Sequence, residues 1–282
     1  MTVVSYFLPA SVPEALQLLE THDSELLVIA GGTVAMPLIN DGVSLPTRVM
    51  GLRRAGLDRI TRTDEGVRIG ATATLTSVLE QDVVPLLRDA ARRTASWSIR
   101  NMGTVGGNLF TPPPGGDVAT ALLALDAVVE LTGPAGSRHV PLEAFYTGFM
   151  TTALAPDELV TAVTVPIANG RHSFIKFGRK AANTPAIVTV AVQAMTDGDA
   201  VTSVRIAIGA AGPHPLRARR AEATQTGAAL APDVIAAAGE AALTDVEPFT
   251  DAVASAWYRQ RMVPLLVRRA LADIAGPAGR GE

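Results

Sequence analysis

Short apolar runs separated by polar, glycine-bearing turns dominate the chain, and their period changes along it. Residues 3–8 read as a strand. Ser11 with Glu14 three positions later, and Pro13 in the first turn, mark a helix start that continues through 16–19. Residues 26–29 are continuously apolar, the pattern of a buried parallel strand, and run into Ala30-Gly31-Gly32-Thr33. A short helix over 34–40 and a strand over 47–50 complete a β-α-β-like unit by about residue 56. The pattern then predicts a strand at 66–69, helices at 75–81 and 85–94, an apolar helix at 118–125 and a strand at 128–131. A turn at 133–136 and a strand at 159–165, closed by Pro166, end this region.

After Asn169-Gly170 the reading is strands at 172–178 and 186–196, a tight turn at Asp197-Gly198-Asp199, a returning strand at 201–210, and helices at 217–226, 233–243 and 252–274. Strands followed by helices without regular alternation predict an α+β fold. The expected division is 1–168, with subdomains 1–56 and 57–168, then 169–282, whose last residues 276–282 are expected to fray.

Composition narrows the chemistry. A hydrophobic fraction of 48%, a charged fraction of 18% and a net charge of -3 describe an ordinary globular protein and offer nothing for a nucleic-acid partner. No run approaches the roughly 18–20 apolar residues of a membrane span, and the start lacks a signal-peptide pattern, so a cytoplasmic protein is expected. Cys 0 excludes disulfides, thiol catalysis and thiolate-held iron–sulfur clusters in this chain. His22, His139, His172 and His214 are scattered, so no metal site is expected and they are read as surface or capping residues. Basic residues are almost all arginine, yet Lys176 and Lys180, the only lysines, fall close together, as if a compact ammonium were wanted there.

Three stretches carry candidate chemistry. Ala30-Gly31-Gly32-Thr33 follows a strand; paired glycines let amides approach a phosphate, although a tight strand-to-helix turn would use them equally. Arg100-Asn101-Met102-Gly103-Thr104-Val105-Gly106-Gly107-Asn108-Leu109 reads as a loop rich in free donors, ahead of Pro112-Pro113-Pro114, and suits a diphosphate-bearing ligand. Neither stretch has the spacing of a P-loop or a dinucleotide Rossmann site. In Gly115-Gly116-Asp117 the aspartate serves as an N-cap, as a ligand to sugar hydroxyls, or as both. Trp97 is expected to pack beneath the second stretch, Phe145, Tyr146 and Phe149 to pack in a core or interface, and Arg217, Arg219 and Arg220 to form a solvated helix face or an interface.

Ala-Gly-Gly-Thr after an early strand, Gly-Thr-Val-Gly-Gly-Asn-Leu, Gly-Asp before an Ala/Leu helix and Phe174-x-Lys176-x-x-Arg179 occur in order, and together they resemble the FAD-binding medium subunit of the molybdenum hydroxylases. The resemblance spans essentially the whole chain. It implies a PCMH/VAO-like FAD fold of two small α/β subdomains, followed by an antiparallel-sheet-and-helix domain of the CO-dehydrogenase-flavoprotein type. It further implies that Val28, Ile29, Ala30, Gly31, Gly32, Thr33, Val34 and Ala35 wrap the diphosphate and adjoining parts of FAD. Gly103, Thr104, Val105, Gly106, Gly107 and Asn108 would form the opposing loop, and Gly116 and Asp117 would meet the polyol or adenylate portion. Val160 would lie near the ring system and Lys176 close to the isoalloxazine, where its charge favours the anionic reduced form.

No residue is assigned a catalytic role. The implied partners are a small subunit with 2Fe–2S clusters, a large subunit with the molybdenum cofactor, and an external electron acceptor, assembled as a dimer of heterotrimers. The chain departs from one branch of the family in having no cysteine for an additional cluster, and from some relatives in having no aromatic residue at 181–185 to cover the ring. Two other readings stay open: a stand-alone flavin oxidoreductase, with Tyr146 or Arg179 as acid–base candidates, and a flavin-free assembly subunit.

Overall fold

A computed structural model describes residues 3–22, 25–81, 84–111, 115–167, 169–198 and 200–276. Pro112-Pro113-Pro114, Ala168 at the expected division, Asp199 of the expected hairpin turn and residues 277–282 of the expected tail lie outside the described residues. The fold is α+β, as the order of the elements predicts, and is built on three main sheets.

The first sheet holds β1 (Ser5–Phe7), β2 (Leu26–Ile29) and β3 (Arg48–Gly51), all parallel in the order β1-β3-β2. Helix α1 (Val12–His22) crosses over between β1 and β2 and buries Ala15 and Leu19 against Leu26, Met50 and Leu52. Its start carries the expected Ser/Glu pair, shifted by one residue in its reach-back. Ser11 Oγ accepts from the Glu14 amide at 3.4 Å, while Glu14 Oε2 accepts from the Ala10 amide at 2.7 Å. Helix α2 (Ala35–Asn40) follows the first glycine pair.

The second sheet opens with β4 (Ile60–Thr63) and β5 (Gly66–Gly70). The chain then winds through α3 (Leu75–Gln81), α4 (Pro85–Arg93), α5 (Trp97–Arg100), α6 (Val105–Leu109) and α7 (Asp117–Ala124). It returns as the hairpin β6 (Val128–Gly133) and β7 (Gly136–Pro141), passes α8 (Leu142–Phe145) and the small hairpin β8 (Tyr146–Gly148) and β9 (Thr151–Thr152), and closes with β10 (Leu159–Val165). The order β4-β5-β10-β6-β7 places the last strand at the centre. That position explains why the pattern along β10 does not alternate between apolar and polar: all but one of its residues are buried, Thr161 among them.

Arg68 on β5 grips Glu130 on β6 across β10 through two bonds of 3.1 and 2.8 Å, and Thr161 Oγ1 adds a third to Glu130 Oε1 at 2.7 Å. The Arg68 bond holds the Glu130 carboxyl below its ordinary value of 4.5, outweighing partial burial. A depressed carboxylate contributes stability that is complete above its unfolded pKa and is lost as pH falls through the folded one. Glu130→Gln is therefore expected to lose about 1 kcal/mol at neutral pH. Its stability should also fall less steeply than the wild type's on acidification below 4.5, in chemical denaturation at a series of pH values.

The third sheet is the antiparallel meander β11 (Arg171–Gly178), β12 (Ala186–Asp197), β13 (Ala200–Gly209) and β14 (Leu216–Arg217), in sequence order. One face receives α4 and α7; the other is covered by α9 (Arg219–Gln225), α10 (Pro232–Ala241) and α11 (Ala256–Ala275). Between two helical layers β12 is buried at every position from Ala186 to Ala194, so its sequence shows no alternation. Arg259 is buried beneath this sheet, where it donates to the carbonyls of Ile187, Phe249 and Ala254 and forms a bidentate pair with Asp251 at 2.9 Å.

Arg217 corrects the expectation of a solvated helix face. Arg217 is buried on β14 and pairs with Glu222 and Asp126, and Arg219 pairs with Glu143, so both tie the third sheet to the elements around the second. Arg219 and Arg220 both lie largely in solvent, as expected. Phe145 is a core residue, as expected, whereas Phe149 is exposed at the tip of the β8–β9 hairpin.

Candidate functional site

The two glycine stretches, far apart in sequence, meet in space. β2 ends at Ile29 and delivers Ala30 and Gly31 against the turn that joins α5 to α6. A Cβ built on Gly31 would overlap the Met102 carbonyl, and one on Gly103 would come within 3.5 Å of Thr33 Oγ1. Gly32 takes φ +72, the left-handed region, and its carbonyl accepts from the Met36 amide at 2.9 Å to start the turn into α2. Among the described residues the amides of Gly31, Gly32 and Thr33 enter no hydrogen bond within the chain, which leaves three adjacent donors at the mouth of the contact. That arrangement suits an anion.

The second stretch differs from the open, donor-rich loop that its composition predicts. Val105–Leu109 is a helical turn capped by Thr104, whose Oγ1 accepts from the Gly107 amide at 3.0 Å. The Val105 and Gly106 amides are bonded to the carbonyls of Ala73 and Ala71 at 2.9 Å each, so these glycines serve close packing and not donor supply. Gly106 has no room for a Cβ beside Ala71. Asn108 Oδ1 accepts from the Ala119 amide at 3.0 Å and abuts Gly116, fixing α6 to α7. Arg100 braces the stretch from behind by donating to the carbonyls of Arg92, Thr94 and Ala95. Trp97 is 71% exposed and does not pack beneath it.

Between the two stretches lies a cavity of about 300 Å³, at the lower limit for small-molecule sites. Its walls are Ala30, Gly31, Met102 and Thr104, which the sequence singles out, together with Arg53, Asp58, Thr72, Thr74 and Asn101. Of these five, only Asn101 lay in a stretch singled out from sequence. The legible signal for the threonines was their alternation with buried Ala71, Ala73 and Leu75, which points two hydroxyls away from the core. Thr72 Oγ1 is buried and has no hydrogen-bond partner, an unusual state for a hydroxyl. Open amides, a glycine that admits no side chain and an orphaned hydroxyl fit a bound polar ligand that would complete them.

The third stretch leads elsewhere. Asp117 is the first residue of α7 and Gly116 takes the cap position, so the N-cap role is not realised. The Asp117 carboxylate instead reaches the third sheet, accepting from Lys176 Nζ at 2.6 Å and from Thr189 Oγ1 at 3.2 Å. Both side chains of the ion pair are nearly buried, at 9% and 10% exposure. Burial pushes the Asp117 carboxyl up, against the pull of Lys176. Lys180, by contrast, is exposed.

Val28 and Ile29 lie within β2, Ala35 opens α2, and Val34 is partly exposed before it. Val160 is buried in the same core cluster as Val105 and Leu109 and does not line the cavity. The structure therefore joins Ala30, Gly31 and Thr104 around one cavity and Asp117 with Lys176 in one buried pair, and α6 links the two through Asn108 and Gly116.

Tyr146 lines a second cavity of about 230 Å³ under the β8–β9 hairpin, where its ring stacks on His214 at 5.5 Å. Its hydroxyl donates to the Leu109 carbonyl at 3.0 Å, and burial pushes the phenol further up, which suits a structural strut better than an acid–base group.

A family model described as the FAD binding domain in molybdopterin dehydrogenase matches residues 2–168, more than half of the chain. The chain belongs to that family. A second model, the CO dehydrogenase flavoprotein C-terminal domain, matches residues 172–274 of this molybdopterin-dehydrogenase flavoprotein. The glyceraldehyde dehydrogenase medium chain of Sulfolobus acidocaldarius is 30% identical over 96% of this chain and 98% of its own length. The carbon monoxide dehydrogenase medium chain of Afipia carboxidovorans is 31% identical over 94% of both. Among solved structures, carbon monoxide dehydrogenase from Hydrogenophaga pseudoflava superimposes with a TM-score of 0.92 at 31% identity, covering 97% of each chain. Quinoline 2-oxidoreductase from Pseudomonas putida gives 0.89 at 27% identity, again over 97% of each. The family thus has the fold that the sequence resemblance implied.

Proposed function

We propose that the chain holds FAD between its two glycine stretches and acts as the electron-relay subunit of a molybdenum hydroxylase. It would take electrons from 2Fe–2S clusters of a small partner subunit and pass them to an external acceptor, while a large molybdopterin subunit hydroxylates the substrate. The observation that carries this reading is the cavity between Gly31 and Thr104, with its orphaned Thr72 hydroxyl and the unbonded amides of residues 31–33 running on from its wall at Gly31, in a chain of this family. Bound FAD supplies the redox chemistry, accepting electrons singly and releasing them in pairs.

The chain's own residues bind, orient and tune. The Gly31, Gly32 and Thr33 amides would meet the diphosphate, with Val28, Ile29, Ala30, Val34 and Ala35 forming the wall of that segment. Gly103 to Asn108 would form the opposing wall, and Thr104 would present its buried side chain to the cavity. Gly116 and Asp117 would meet the polyol or adenylate portion, with Val160 packing behind and the Lys176 ammonium favouring the reduced anion. The division at 168/169, an assembly as a dimer of heterotrimers and a cytoplasmic location belong to the same proposal.

The test is a reconstitution. The chain alone is expected to carry FAD, to be bleached by dithionite and to hydroxylate nothing; adding the iron–sulfur and molybdenum subunits should restore substrate-dependent bleaching. Turnover of an organic substrate by the chain free of both partners, at the rate of the native preparation, would sink the relay reading.

A further inference from the structure

We propose that Arg53 and Thr72 form a phosphate-recognition pair in the cavity, selecting the diphosphate of a flavin dinucleotide over flavins that lack it. The inference rests on the FAD reading above and adds to it two residues outside both glycine stretches. Arg53 is the only cation on the cavity wall among the described residues. It lies in the single helical turn Leu52–Arg54 after β3, and Gly51 at the end of β3 pairs with Ile29 at the end of β2, so the ends of two neighbouring parallel strands bring Arg53 and Gly31 to the same space. Its recorded partner is the Met102 sulfur at 2.9 Å, a weak acceptor for a guanidinium that carries five donors. The contact holds the side chain over the turn between α5 and α6 without neutralising it.

Thr72 supplies the second, independent observation. It is 6% exposed, it lines the same cavity, and its hydroxyl has no partner. A buried hydroxyl in that state destabilises the free protein and is satisfied when an acceptor arrives. Phosphate oxygens are such acceptors, and guanidinium pairs with them through charge-assisted bonds. Asp58 shares the cavity, and its carboxylate would repel a phosphate placed beside it. The diphosphate is therefore assigned to the Arg53 guanidinium and the Thr72 hydroxyl, and hydroxyl or amino donors of the nucleoside to the Asp58 carboxylate.

The experiment titrates the flavin-free full chain with FAD and with riboflavin, following flavin fluorescence at two salt concentrations. Arg53→Met is expected to weaken FAD binding about 10- to 100-fold and to flatten its salt dependence, while Arg53→Lys restores part of the loss. Riboflavin, which has no phosphate, should bind both variants as it binds wild type. Thr72→Val should weaken FAD binding and raise the melting temperature of the flavin-free chain, a crossed effect that a merely structural residue does not give. FAD affinity unchanged in Arg53→Met, or an equal loss for riboflavin, overturns the inference and leaves the FAD reading standing. Failure of the wild-type chain to take up FAD overturns that reading itself.

Discussion

Gly31→Ala should leave the protein without flavin, although alanine is the smallest side chain available. The added Cβ would fall on the Met102 carbonyl and crowd Gly103 Cα at 3.1 Å, and both are backbone atoms that cannot swing aside. Relief requires moving the strand-end turn and the α5–α6 turn apart, which opens the cavity wall. Overpacking of this kind costs about 1–3 kcal/mol in a core, and here the displacement falls on the segment proposed to meet the diphosphate.

Gly32→Ala is the informative control. Gly32 sits at φ +72 with only the flexible Met36 side chain near its Cβ, at 3.3 Å, so alanine there meets backbone strain of about 1–2 kcal/mol and no collision. The flavin-to-protein ratio of the purified variants, read with their melting temperatures, checks the order. Gly31→Ala should be flavin-free yet folded, and Gly32→Ala should retain most of its flavin. Full flavin content in Gly31→Ala would show that the loop contact has no part in the site.

Much of the scaffold was legible because burial imposes a pattern. The central strand β10 and the helix α3 take the bounds that their buried, mainly aliphatic and spaced apolar positions predict. What escaped reading had no such imprint. β4 and β7 are the outer strands of the second sheet, and their exposed, polar residues carry no alternation to detect. α6 escaped because its two glycines argue against helix, while its stability comes from the Thr104 cap and from bonds to Ala71 and Ala73, partners remote in sequence.

The same asymmetry holds for the site. Glycine pairs announce themselves, so Gly31 and Gly107 could be marked from the sequence, but Arg53 and Thr72 join the cavity only because β3 pairs with β2 and the turn after β5 crosses beneath them. Arg217 looked like a surface cation because its partner Asp126 lies on the far side of a domain-scale contact. Trp97, expected to be buried, stands in solvent because α5 is held by Arg100 and not by its aromatic ring.

Lys176→Met should be the most destabilising change at the junction of α7 and the third sheet. It leaves the Asp117 carboxylate buried with no countercharge and only the hydroxyls of Thr189 and Thr94 beside it, and breaking one half of a buried pair costs about 3–5 kcal/mol. The size should depend on pH, and the sign follows from Asp117. Its folded pKa already lies above the ordinary 3.8, and loss of the lysine charge raises it further. The folded state then holds a proton that the unfolded state has released, so stability falls as pH rises from 3.8 toward the folded value. The variant should consequently approach wild-type stability in acid and lose most above it. The double variant Asp117→Asn/Lys176→Met, with both charges gone, should recover most of the loss, as neutral replacements of buried pairs commonly do.

The flavin potential of the same variants separates a structural pair from a tuning one. If the ammonium acts on the flavin, Lys176→Met lowers the reduction potential, Asp117→Asn raises it, and the double variant lies between them, because the pair as a whole is neutral. Four equal potentials, measured with FAD bound, would leave Lys176 a strut between α7 and β11 with no part in electron transfer.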